Sequence, residues 1–166
     1  VSNASGYVPV SLDATAPSVF TDVWVQPADS AFIRPAQGFY VPERDEELKL
    51  FRWIDSTAVA TAYVPAPRAR LTIEGWIPTT NYRLPIVLSL AWNARPLATV
   101  NVTTPVFRIE QDVPGSPARP WDELQIRASE SFVPDERQRN GDRRRLAAKI
   151  YRLTLDSDSV VPPTSR

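Results

Sequence analysis

The polarity of the chain rises and falls in short apolar runs, each closed by a cluster of Pro, Gly, Asn or Asp, at intervals of about ten residues. Nine runs predict strands over 18–26, 48–55, 57–64, 69–77, 85–93, 97–102, 105–113, 122–130 and 145–155. Polarity alternates within them. Leu71, Ile73 and Gly75 fall on one side of a strand, with Arg70, Thr72 and Glu74 on the other. Leu124, Ile126 and Ala128 alternate in the same way with Glu123, Gln125 and Arg127. Strands with one dry and one wet face predict an all-β protein, a two-sheet antiparallel β-sandwich of about nine strands.

The last run is out of step with itself. Its apolar set is Leu146, Ala148 and Ile150, then Leu153 and Leu155, a change of parity that predicts a bulge near Tyr151. Leu146, Ile150 and Leu153 also fit a helical stripe; the Ile, Tyr, Leu and Thr gathered toward the end favour strand. Seventeen prolines against 5 glycines argue against long helices. No fixed-period repeat is visible, which excludes solenoids and propellers. The 166 residues suit one domain over 6–156. Residues 1–5, with Ser2-Asn3-Ala4, read as the remnant of a cleaved tag, and 157–166 as a C-terminal tail.

Charge changes the picture by cancelling. The 19 Lys plus Arg balance 19 Asp plus Glu, so no global field draws the chain to nucleic acid. No apolar run reaches the length of about 20 residues that a bilayer requires, so no membrane insertion is expected. Cysteine and histidine are both absent. That removes disulfides, thiolate metal sites, and the Ser-His-Asp and Cys-His mechanisms.

Three patterns carry candidate chemistry. In the strand around Phe51, Arg52 and Trp53 the two aromatics share a face and Arg52 points away. Core packing is one reading of these rings; a stacking platform for a sugar at Trp53 or Tyr40 is the other. Glu43 follows a Gly-Phe-Tyr turn and needs a cationic partner. The segment from Ser131 to Leu155 holds the candidates. Its Asn140-Gly141-Asp142 turn is expected to leave Arg137 and Arg139 in a solvated loop and to lead Arg143, Arg144 and Arg145 into the last strand. There Arg144 or Arg145 is expected to pair with Glu43 or Asp142. Scattered acids at Asp45, Glu46, Glu47, Asp55 and Asp135 offer carboxylate pairs of the kind a glycosidase uses, and loop oxygens of the kind calcium takes, but no spaced Asp-x-Asp-x-Asp loop. Asn101-Val102-Thr103 matches a glycosylation acceptor.

Four stretches, 18–43, 51–58, 92–97 and 121–155, occur in an order that resembles the extracytoplasmic β-sandwich domain attached to bacterial membrane glycosyltransferases and surface-polysaccharide proteins. Gly38, Phe39, Tyr40 and Glu43 match its turn, and Phe51, Arg52 and Trp53 its aromatic strand. Asn93, Arg95, Pro96 and Leu97 match its hairpin; Phe132, Pro134, Asp142, Arg144 and Leu146 match its closing segment. Ile54 stands where the family has Thr, and Ala94 and Ala147 stand where it has glycine, which predicts altered turn geometry at the last two.

The resemblance implies a jelly-roll-like, carbohydrate-binding-module-like sandwich outside the cytoplasm, in the cell envelope. It implies a non-catalytic accessory domain beside a transferase that uses lipid-linked sugars; contact with glycan and with the remainder of a membrane-embedded parent protein is expected, with no cofactor and with calcium the one metal left open. Tyr40, Trp76, Tyr82, Trp92 and Trp121 are the candidate glycan contacts, and Glu43, Arg52, Asp142, Arg144 and Arg145 the candidate structural ion-pair set. A purely structural or protein-binding sandwich, and a carbohydrate-active hydrolase, are the alternatives.

Overall fold

The computed structural model describes residues 30–116 and 121–157, with backbone alone at 137 and 138. Its strands are β1 (Phe32–Phe39), β2 (Glu43–Arg44), β3 (Leu50–Tyr63), β4 (Arg68–Trp76), β5 (Ile86–Trp92), β6 (Arg95–Val102), β7 (Val106–Pro114), β8 (Asp122–Ala128) and β9 (Ala148–Ser157). A short helix, α1 (Pro134–Gln138), lies between β8 and β9. The strands hydrogen-bond in the order β6-β5-β8-β3-β9-β4-β7, with β1 and β2 also on β3, and every pairing is antiparallel. No helix of the described residues is long and apolar enough to cross a membrane.

The sandwich turns on β3. Its residues 57–62 pair with β8 and its residues 52–54 with β9, so one strand belongs to both layers. Between the two stretches the Asp55 carboxylate accepts from the backbone N–H and the hydroxyl of Ser56. One layer is therefore β1-β3-β8-β5-β6 and the other β3-β9-β4-β7. Alternation then fills the space between them: Leu71 and Ile73 from β4, Leu88 and Leu90 from β5, Leu124 and Ile126 from β8, and Ile54 from β3 share one core. Each such side chain contributes roughly 1.5–3 kcal/mol by leaving water. At the far side the Trp92 indole N–H donates to the Pro114 carbonyl at 3.1 Å, tying the end of β5 to the end of β7 and bringing the sandwich close to a barrel.

The all-β antiparallel sandwich is as expected, and several boundaries are not. The expected strands 48–55 and 57–64 are one strand of 14 residues, because β3 runs on through Ser56 while its partner changes from β9 to β8. β1 was not expected: Arg34, Pro35, Ala36 and Gln37 are exposed and carry no alternation, the composition of an edge strand that admits proline. The expected strand 18–26 lies outside the described residues, as do residues 1–5 and all but the first residue of the tail. The bulge at Tyr151 is present: Glu74 faces Arg152 and Gly75 faces Ile150, which leaves Tyr151 unopposed on β9.

Arg143, Arg144 and Arg145 do not enter the last strand. β9 starts at Ala148, and the preceding segment meets the fold through an isolated bridge between Leu146 and Phe132. The loop expected around Arg137 and Arg139 contains α1, which opens on Pro134 and ends at Arg139 in the left-handed region.

The two missing glycines have unlike outcomes. Ala94 keeps the positive φ of 64° that a glycine would take, and with Asn93 at 51° forms a two-residue hairpin turn. The turn survives because Asn93 is pinned: its Nδ2 donates to Asp122 Oδ1 at 2.7 Å, its Oδ1 accepts from Glu123 N, and its own N–H donates to Glu123 O. Ala147 has no positive φ and carries no such strain. Ile54, in place of threonine, is fully buried in the core.

Candidate functional site

The five candidate glycan residues do not form one site. Trp92 is 3% exposed and its N–H is spent on Pro114, so it has no face for a sugar. Tyr82 packs against the core and its hydroxyl lies 2.7 Å and 2.8 Å from the carbonyls of Leu146 and Ala147. Trp76 packs edge-on to Trp53, in a second cluster with Phe51, Leu146, Phe132, Tyr151 and a further candidate, Tyr40. Lys149 sits over Phe51, Trp53 and Trp76 at 4.3, 5.3 and 5.0 Å, so cation–π attraction closes that cluster. Phe51 and Trp53 are buried within it, and the packing reading holds for both.

Tyr40 serves the ion pairs. Its hydroxyl lies 3.1 Å from Arg145 O and 3.2 Å from Arg145 N, and the Arg144 guanidinium lies 5.4 Å from its ring centre. Arg144 is the centre of that group. Its Nε and Nη2 grip Asp142 at 2.9 and 2.8 Å, and its Nη1 meets Glu43 at 2.5 Å. The hydrogen bond from Arg144 holds the Asp142 carboxyl below the usual aspartate range, and the same bond pushes the Arg144 guanidinium further from titration. Arg145 contributes its backbone to Tyr40 and its side chain is exposed, while Arg52 donates to the Tyr40 carbonyl at 3.0 Å. Glu43 thus spends one carboxylate oxygen on Arg144. Among the described residues no group of three or more acidic side chains is placed to hold a metal ion.

Trp121 stands apart as the one exposed aromatic among the described residues, at 46%. Strand register explains what surrounds it. Phe32 of β1 faces Tyr63 of β3, and Trp121 immediately precedes β8, whose Asp122 faces Ala62. Ala62 and Ile33 turn into the core, so Phe32, Tyr63 and Trp121 turn outward together. Their rings make one row: Phe32 and Tyr63 are 5.6 Å apart, Phe32 and Trp121 5.6 Å, Tyr63 and Trp121 6.2 Å. Two residues along the same face comes a second row, in which Arg34 faces Thr61 and Thr61 faces Glu123. A third row follows with Gln37, Val59 and Gln125.

The outer face of this layer thus carries aromatic π-faces beside a cation, a hydroxyl, a carboxylate and two amides. Arg34 lies over the Trp121 ring at 5.2 Å. Of the aromatic row, sequence reasoning picked out only Trp121. Phe32 and Tyr63 were missed because nothing local says that strands 31 residues apart in the chain lie side by side, in register. The signal was nevertheless there: Phe32 and Arg34 sit two apart, as do Thr61 and Tyr63, and each pair shares one face of a strand.

No family model matches the chain, and no curated protein matches it. Among solved structures the chain is similar to a family 35 carbohydrate binding module from an environmental isolate, at 12% identity and a TM-score of 0.48, covering 77% of this chain and 93% of that one. It is also similar to the EclA C-terminal domain, described as a sugar-binding protein, at 11% identity and a TM-score of 0.41, covering 85% and 87%. An exo-β-1,3-galactanase from Phanerochaete chrysosporium is similar at 11% identity and a TM-score of 0.37, over 75% of this chain and 26% of that one.

Proposed function

We propose that the chain is a non-catalytic β-sandwich module that contacts glycan through the outer face of β1, β3 and β8. The observation that carries this is the exposed Trp121, framed by Phe32 and Tyr63 and followed by the polar row Arg34, Thr61 and Glu123. A sugar presents an apolar C–H face and a rim of hydroxyls. The aromatic row suits the face, and the polar row suits the rim. The commitment of Glu43 to Arg144, and a chain without His or Cys, favour binding over catalysis.

The resemblance to the extracytoplasmic domains of membrane glycosyltransferases extends the proposal to a place in the cell envelope, beside a parent protein that handles lipid-linked sugars. Two of the resembling segments, the turn that ends in Glu43 and the closing segment with Asp142 and Arg144, meet in a single ion-pair group, which supports the matching of those motifs.

Calorimetric titration with a panel of neutral and acidic oligosaccharides tests the reading. Binding by the native chain that weakens about tenfold in Trp121→Ala, a stacking loss of about 1.4 kcal/mol, is expected. Binding unaffected by that change, or no binding to any sugar, refutes it. A second reading is favoured by Val41, Leu48 and Leu50, which are 63%, 69% and 52% exposed around β2. Apolar side chains gathered in one short stretch are a contact for the parent protein.

A further inference from the structure

We propose that this face selects an anionic sugar, a uronate or another ring bearing a carboxylate, and that Arg34 is the residue that reads the charge. The inference rests on the glycan reading above and adds the substrate class.

Arg34 is exposed, and among the described residues its guanidinium lies over the Trp121 ring at 5.2 Å and makes no ion pair. The charged group nearest it along the same row is Glu123, and Thr61 stands between them. Arg34 is turned onto Trp121 instead, and among the described residues no ion pair joins it to Glu123. An arginine held against an aromatic ring has its planar fork oriented and its N–H groups unspent, the state that receives a carboxylate through two parallel hydrogen bonds. Contrast the other layer. There Arg108 is engaged by Glu74 and Glu110, Arg70 by Asp112 at 2.9 Å, and Arg152 by Glu74 at 3.8 Å, so these three arginines already have carboxylate partners.

The geometry assigns each part of the ligand a partner. The apolar ring face lies on Trp121, the carboxylate meets Arg34, and hydroxyls reach Thr61 and Glu123. The arrangement is local, since the chain as a whole has a formal net charge of +0 and exerts no general pull on polyanions. Selection therefore depends on ring shape and charge together, and a flexible polyanion without a stacking face is not retained.

The test is calorimetric titration of the full chain with α-1,4-tetragalacturonate and β-1,4-tetraglucuronate, each against its methyl ester, at low salt. The ester keeps the ring and its hydroxyls and removes the charge. At least one acid is expected to bind ten times or more tighter than its ester. Arg34→Gln is expected to bring that acid to within about twofold of the ester, Arg34→Lys to recover part of the difference, and Trp121→Ala to weaken acid and ester alike. Equal affinity for acid and ester overturns the charge selection and leaves the glycan reading standing. So does binding of a neutral oligosaccharide alone, lost in Trp121→Ala. No binding to any sugar overturns both. Discrimination that survives Arg34→Gln overturns the assignment to Arg34. Circular dichroism of the variants confirms folding, and an exposed side chain without an ion pair is not needed for it.

Discussion

Arg144 Nη1 lies 2.5 Å from Glu43 Oε1, and the two residues are 101 apart in the chain. The contact fastens the β2 turn to the segment that leads into β9, and Asp142 completes it from within that segment. Sequence alone suggests a buried arginine whose loss costs 3–5 kcal/mol, a typical penalty of about that size for a broken buried pair. The pair is instead about one third exposed, at 32% and 34%. Water screens part of the attraction and recovers part of the desolvation cost. Arg144→Ala is expected to lower stability by about 2 kcal/mol, between the surface and buried limits. Urea unfolding of this variant, of Glu43→Ala and of the double variant gives the coupling; values that simply add would deny the contact any energetic role.

The same group sets an acid limit on stability. The Arg144 hydrogen bond lowers the folded pKa of Asp142 below its unfolded value. A lowered carboxylate pKa contributes stability that is fully present above the unfolded value, near 3.9, and is lost as pH falls through the folded value. The native chain is therefore expected to lose stability below about pH 4 more steeply than Asp142→Asn, which has no carboxylate to protonate. Equal slopes in thermal melts between pH 5 and pH 2.5 would remove Asp142 from the acid response.

How far the sequence prepares for this depends on whether the deciding interaction is local. Strands β4 and β8 are legible because apolar and polar residues alternate along most of each, with Thr72 and Asp122 buried as the departures. The Arg144 contact is half legible. The turn signal at Asn140-Gly141-Asp142 put the arginines near Asp142, but Arg144 is aimed by the loop itself, through its own backbone N–H to Asp142 Oδ1 at 3.1 Å, and not by strand alternation. The row of Phe32, Tyr63 and Trp121 is not legible, because it depends on the register of three strands. Edge strand β1 hides behind its own exposed residues, and β3 hides its continuity behind an Asp-Ser pair that looks like a turn.

The β5–β6 hairpin contains a strained alanine. At φ 64° Ala94 occupies a region that costs a residue with a Cβ roughly 1–2 kcal/mol. Ala94→Gly is expected to stabilise the chain by about 1 kcal/mol, the relief of that strain less the entropy glycine gains when unfolded. Asn93→Ala acts in the opposite direction. It leaves the Asp122 carboxylate, 3% exposed, without its amide donor. A loss of about 2–3 kcal/mol is expected for an unpaired buried group. Chemical denaturation of both variants decides whether strain or pinning governs the turn.

At Gly38 the backbone of β1 lies close against that of β3. Its φ is 71°, and a Cβ there would lie 2.1 Å from the Thr57 carbonyl oxygen and 2.9 Å from Ala58 Cα, both backbone atoms that cannot turn aside. Gly38→Ala is expected to cost at least 3 kcal/mol, more than strain alone, because the strands must part. Parting them carries Phe32 and Arg34 away from Tyr63 and Thr61. The variant should thus lose sugar binding together with protection of the β1 and β3 amides from hydrogen exchange, whereas Trp121→Ala loses binding alone.

Tyr82 separates structural aromatics from functional ones. Its hydroxyl holds the carbonyls of both Leu146 and Ala147, so it anchors the segment between α1 and β9 from a turn more than sixty residues away. Removing that hydroxyl takes one donor from the pair of carbonyls, of which Leu146 O keeps the Phe132 N–H at 2.9 Å, and Tyr82→Phe is expected to cost about 1–2 kcal/mol. Exchange should rise at the Leu146 amide, which donates to Phe132 O at 2.8 Å, and at the Ala147 amide, which donates to Ile54 O at 2.8 Å. Sugar affinity should stay within about twofold of the native chain, a difference of about 0.4 kcal/mol. If Tyr82→Phe weakened sugar binding as strongly as Trp121→Ala while the fold stayed intact, the binding face would lie at the Tyr82 end of the sandwich, and the Trp121 row would be packing.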